Sequence, residues 1–166
     1  MSAVRKGIVI LAGLAVLALV NYSIYSRERL LTGGNVVLLK LAPVDPRSLM
    51  QGDYMALRFQ VANDLRSRVA NDSPHDGYVV LTLDERRIGT FARIDAGALL
   101  AANEARMHYR MRERQIKLAT NAFFFQEGDA KLYNKARYGE FRVGGNGDSI
   151  LTGLRDEQLA PLGPVR

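Results

Sequence analysis

Gly52-Asp53-Tyr54-Met55-Ala56-Leu57-Arg58-Phe59, reached through Pro43-Val44-Asp45-Pro46-Arg47, turns the reading of this chain toward β-structure. The two prolines fix φ and stiffen the approach, Gly52 permits a sharp turn, and Asp53 is placed to hydrogen-bond nearby backbone. A strand is predicted from Tyr54 to Val61, where Leu57, Phe59 and Val61 alternate with Arg58 and Gln60.

Upstream of this stretch, Asn35 to Leu41 is a second strand-like run, and Gly33-Gly34 closes a short linker that begins near Arg27. Every residue from Gly7 to Val20 is apolar or glycine, and Asn21 to Tyr25 extend the run. About 19 residues at 1.5 Å each span about 28 Å, close to one bilayer core. Arg5 and Lys6 precede the run, and Tyr22 and Tyr25 stand where an interfacial aromatic belt belongs. A cleavable signal peptide is the rival. However, a cut after Ser26 pairs it with Ile24, and one after Ser23 pairs it with Asn21, so the small-residue pattern fails. The basic residues nearly balance across the run, with Arg27 and Arg29 behind it. The free amino terminus tips the balance toward an N-terminus in the cytoplasm.

Downstream, Gly77–Leu83 and Ile88–Ile94 read as a hairpin joined by Asp84-Glu85-Arg86-Arg87. Residues 63–76 read as a long loop with one helical turn around Leu65 to Ala70, and residues 96–105 have helix-forming composition. Arg106 to Arg112 alternates, with Met107, Tyr109 and Met111 opposite Arg106, His108, Arg110 and Arg112. Ile116 to Phe125 reads as one strand, in which the run Phe123-Phe124-Phe125 suggests burial on both faces. Asp129 to Tyr138 suits a short helix. Phe141–Val143 and Ser149–Leu154 flank the turn signal Gly144-Gly145-Asn146-Gly147. The fold class is therefore mainly β (β-rich α+β): one N-terminal transmembrane helix followed by a single compact β domain with one short helix. The predicted boundaries are a cytoplasmic N-terminus over 1–6, a transmembrane helix over 7–25, a linker over 26–34 and the domain over 35–166.

The residues Gly52, Asp53, Tyr54 and Leu57 resemble the signature of the GDYXXLXY proteins, a bacterial family without an assigned activity; Phe59 stands where that pattern has tyrosine. Asp45 and Pro46 before it resemble the same family's blocks. So do Phe123-Phe124-Phe125-Gln126-Glu127-Gly128, Tyr138-Gly139-Glu140-Phe141-Arg142-Val143 and Gly147 through Leu154. The likeness covers most of residues 35 to 160. It implies a domain outside the cytoplasm on the bacterial inner membrane. It also implies a multi-pass membrane partner, because such genes often neighbour one encoding a multi-pass protein.

Composition limits the chemistry. The chain has 166 residues, no cysteine and two histidines, so disulfides and thiolate chemistry are excluded and a histidine metal site is disfavoured. Nothing in the residues implies a cofactor. The approach to Gly52-Asp53 is similar to that of type I signal peptidases, but that family's serine lies three positions before the proline, where this chain has Pro43. Ser48 is left as a weak nucleophile candidate without an evident base. Asp53 and Glu127 are the other weak catalytic candidates, and Asp45, Asp129 and Glu140 complete an acidic set. Each has a simpler role. Asp45 and Asp53 suit turns, Asp129 a helix N-cap, and Glu127 and Glu140 ion pairs with arginines.

The formal charge is +6, and residues 1–34 hold four basic and one acidic residue, leaving +3 for the body. Arg106, Arg110, Arg112 and Arg114 with His108 are predicted to line one strand face, either as a patch for anionic lipid or as a solvated edge. Nucleic-acid binding is rejected, because no aromatic–basic motif appears and the domain is expected outside the cytoplasm. The leading expectation is a membrane-anchored accessory domain that partners a multi-pass inner-membrane protein. The alternative is an envelope hydrolase or ligand-binding domain using the acidic residues of the signature blocks.

Overall fold

The computed structural model describes residues 3–43, 50–51, 54–69, 76–112, 115–126 and 128–163. Helix α1 (Ala3–Gly33) leads into β1 (Asn35–Lys40). There follow β2 (Met50–Gln51), β3 (Tyr54–Ala56), α2 (Gln60–Arg66), β4 (Asp76–Leu83), β5 (Ile88–Ile94) and β6 (Glu104–Arg112). Then come β7 (Gln115–Leu118), β8 (Ala122–Phe124), α3 (Ala130–Tyr133), β9 (Tyr138–Val143), β10 (Ser149–Arg155) and β11 (Pro161–Leu162).

Eight strands form one mixed sheet in the order β11-β10-β9-β1-β5-β4-β6-β7, and β2-β3-β8 form a second, smaller sheet. The β1–β5 pair is parallel, with Leu38 opposite Ile88, whereas β1 and β9 pair antiparallel from Asn35↔Val143 to Lys40↔Tyr138. The large sheet curls until the turn joining β9 to β10 meets β6, where the His108 N–H donates to the Gly147 carbonyl at 2.9 Å. Gly147 is required there. Its φ is +88°, and a Cβ would lie 2.8 Å from the Tyr78 ring. That combines a left-handed backbone with an approach too close for a side chain.

Alternation along the strands builds the core. Val37 and Leu39, Val79 and Leu81, Met107 and Tyr109, and Phe141 and Val143 all point inward. Leu57, Phe59, Val61 and Leu65 cap this interior, and the Phe59 ring meets Phe141 edge-on with centroids 5.2 Å apart. Among the described residues no charged or polar residue is fully buried.

Several elements depart from the sequence reading. The signature strand stops at Ala56, because beyond Leu57 the chain leaves β8 for the residues just after β1. Leu57 N–H donates to Asn121, Ala42 N–H donates to Arg58, and Phe59 only bridges Leu41. Val61 is buried as expected, but from α2, where it and Leu65 share a face at helical spacing. The expected loop over 63–76 therefore begins as helix.

Residues 95–103 form no helix. The Asp95 carboxylate accepts Gly97 N–H and the Glu104 carboxylate accepts Ala101 N–H, so side chains take the backbone donors that a helix would use. The strand expected over 116–125 divides at Ala119, whose φ of +53° sends β7 and β8 to different sheets. Phe124 is 69% exposed, on the face of β8 opposite core-packed Phe123, so the phenylalanine run is not buried on both faces. Helix α3 ends at Tyr133, since the backbone beyond it joins the sheet: Arg137 N–H donates to Arg155, and Leu41 N–H donates to Arg137. Asp129 occupies the N-cap position of α3 but makes no side-chain capping bond.

Candidate functional site

Helix α1 is long and apolar enough to span a membrane, and none of its most apolar window is buried in the fold. It continues helically to Gly33, after which Gly34 alone separates it from β1. This junction is held from several sides. Gly34 N–H donates to Leu30 at 2.9 Å, Arg142 Nη1 donates to the Gly34 carbonyl at 3.3 Å, and the Leu30 side chain reaches Gly144.

A cleft of about 810 Å³ opens beside this junction. Arg27, Leu31 and Thr32 of α1 form one wall, and Phe123, Phe124 and Phe125 form another. The outer face of β9 and β10 makes the floor, with Glu140, Arg142, Ile150 and Thr152, and Tyr133 and Leu162 also line the cleft. Aromatic packing sets the second wall, since the Tyr133 ring lies 5.0 Å from Phe123 and 5.2 Å from Phe125. On the floor, Arg155 Nε donates to Glu140 at 2.5 Å and its Nη1 to the Leu159 carbonyl at 2.6 Å. Glu140 is thus an ion-pair partner of an arginine, the role expected from sequence.

The signature positions divide between description and silence. Ser48, Asp53 and Glu127 lie outside the described residues, as do Asp45, Pro46, Gly52, His75 and Arg114. Tyr54 sits in β3 with its ring 5.8 Å from that of Phe124, and Leu57 and Phe59 are core. Phe125 is buried, while Gln126 and Gly128 are exposed on the approach to α3. Tyr138 is half-buried, and Gly139 is buried directly over Phe59, where a Cβ would lie 2.8 Å from the ring. Of the described signature residues, Leu57, Phe59, Phe125 and Gly139 are thus buried, and Gly139 meets Phe59 directly.

A family model described as GDYXXLXY protein matches residues 16–154. The chain belongs to this family. No curated protein and no solved structure matches it. The GDYXXLXY match runs from within α1 to Leu154 near the end of β10, so it takes in the cleft floor and the junction together.

The arginine strand differs from the unpaired row that alternation suggests. Arg106, His108, Arg110 and Arg112 do share the outer face of β6, but carboxylates on neighbouring elements meet several of these charges. Arg106 Nε lies 2.6 Å from Asp95 and Arg112 Nη1 lies 3.0 Å from Asp76. The Arg106 contact is ionic and not an aligned hydrogen bond. Arg93 grips Glu104 on the same face through both guanidinium nitrogens. That grip, aided by Ala101 N–H, holds the Glu104 carboxyl below its ordinary pKa. The His108 ring lies 5.2 Å from that of Tyr78, tilted by 59°. Among the described residues no cluster of three acidic or histidine side chains is spaced to hold a metal ion.

Sequence reasoning missed the cleft because its members come from five separate segments. Arg142 carried the one available signal, since the alternation of Tyr138, Glu140 and Arg142 against buried Gly139, Phe141 and Val143 puts it on the outer face.

Proposed function

We propose that this protein is a single-pass inner-membrane subunit whose β domain stands outside the cytoplasm as an accessory to a multi-pass membrane protein. The observation that carries the reading is the bare surface of α1: Leu11, Leu19 and Tyr22 are 70%, 69% and 72% exposed, and the rest of the run is similar. Each large apolar side chain left in water forgoes about 1.5–3 kcal/mol. A helix that is apolar all round suits a lipid span and not a surface-lying helix.

Asn21 supports a helical partner within the bilayer. Its Nδ2 donates back to the Leu17 carbonyl at 2.8 Å, while its Oδ1 accepts no bond from the described residues. Amide side chains of this kind hydrogen-bond across packed membrane helices.

The test uses the absence of native cysteine. Single cysteines placed along α1 are cross-linked in native membranes, and the products are identified by mass spectrometry. One multi-pass protein recovered in fixed ratio, and lost in Asn21→Leu, supports the reading; the protein recovered alone refutes it. Leu99→Cys, at a site 97% exposed, reports the side: a membrane-impermeant maleimide labels it in spheroplasts if the domain is outside.

A further inference from the structure

We propose that the cleft beside the α1–β1 junction binds one anionic phospholipid from the adjoining leaflet. Its phosphate would lie between Arg27 and Arg142, and an acyl chain along Phe124 and Ile150. The inference rests on the reading of α1 as a bilayer span.

Three observations converge on this occupant. The first is height. If Tyr25 marks the end of the hydrocarbon span, Arg27 lies about 3 Å beyond it and Thr32 about 10 Å. The headgroup layer is about 5–8 Å thick on each side, so the helix wall of the cleft crosses that layer. The second is charge. Arg155 is neutralised by Glu140, whereas neither Arg27 nor Arg142 meets a carboxylate among the described residues. Asp129, the other acidic lining residue, forms no ion pair with either arginine. Two guanidinium groups at headgroup height, neither neutralised by a carboxylate, suit a phosphate, which guanidinium recognises with paired N–H donors.

The third observation is the apolar surface left open. Phe124 is 69% exposed and Leu31 is 42% exposed, both on the cleft wall. A cavity of about 810 Å³ lies within the roughly 300–1,000 Å³ of ordinary ligand sites. A soluble anion would leave Phe124 and Leu31 wet, and a neutral chain would leave both arginines without a counter-charge; a phospholipid of this charge satisfies both sets.

The chain has no tryptophan, so Phe124→Trp supplies a single fluorophore in the cleft wall. The full-length variant is reconstituted in vesicles containing phosphatidylglycerol or phosphatidylcholine brominated on the acyl chains. Quenching several-fold stronger by the brominated phosphatidylglycerol is expected, with the preference reduced about fivefold by Arg142→Gln and again by Arg27→Gln. Equal quenching by the two lipids, or a preference unchanged in the double variant, overturns the proposal. So does a Thr152→Cys thiol that is shielded in native membranes but open in phosphatidylglycerol vesicles, because that pattern marks a protein occupant. Circular dichroism verifies that each variant is folded. Flotation with vesicles of either composition tests membrane insertion separately, so loss of insertion is distinguishable from an empty cleft.

Discussion

Gly139→Ala is expected to destabilise the domain through one contact. Gly139 lies in β9 between Leu39 and Leu154, and a Cβ there would stand 2.8 Å from a Phe59 ring carbon and 3.2 Å from both Leu151 and Phe141. Carbon atoms pack at about 3.5–4.0 Å, so the overlap with Phe59 is roughly 0.7 Å or more. The ring cannot easily retreat, being 1% exposed and set edge-on against Phe141. Overpacking of this kind costs about 1–3 kcal/mol. Alanine also restricts the unfolded chain, which returns about 0.4–1 kcal/mol. A net loss of about 1.5 kcal/mol follows from these two ranges, or roughly 6 °C in melting temperature for a domain of this size.

Far-UV circular dichroism of the full-length protein in mild detergent reads the melting directly. The decisive form is a double-mutant cycle with Phe59→Leu, which trims the ring that the added methyl group would strike. The pair should be less damaging than the sum of its parts by about 1 kcal/mol. Additive effects within about 0.5 kcal/mol, or a neutral single variant, would refute the claim that Gly139 is small because Phe59 is large.

Gly147→Ala should be the harsher glycine variant, since it meets both the Tyr78 ring and a left-handed backbone; about 2–4 kcal/mol is expected in urea unfolding. Glu104→Gln should flatten the acid limb of the stability profile. A carboxyl whose folded pKa is depressed, chiefly by the Arg93 hydrogen bond, contributes stability above its unfolded pKa near 4.3 and loses it as pH falls through the lower folded value. Tyr109→Phe should flatten the alkaline limb. Burial, then Asp76, raises the phenol pKa, so its contribution is intact below the unfolded value near 10 and is lost as pH rises through the folded one. Urea unfolding across pH checks both.

How much of this was legible depended on whether the deciding interaction was local. The β4–β5 hairpin and the β9–β10 hairpin could be read, because each carries its own alternation and its own turn residues. The end of the signature strand could not, because Arg58 and Phe59 leave β8 to pair with Ala42 and Leu41, which lie well upstream in the chain. The region around Ala98 reads as helical by propensity, yet the carboxylates of Asp95 and Glu104 decide it otherwise. Pairing of the arginine face was hidden for the same reason: alternation assigns Arg106 to a face but does not say that Asp95 arrives beside it. The cleft lay furthest from view, since no single segment contains it.

Gly34 as the sole residue between α1 and β1 has a mechanical meaning. A domain of about 130 residues has a radius of gyration near 14 Å, and without a flexible tether it cannot search beyond its own width. Its bearing is set by the helix: under the proposed reading of α1 as a bilayer span, a change in its tilt or rotation turns the whole sheet with it. Whatever grips the helix therefore also aims the domain.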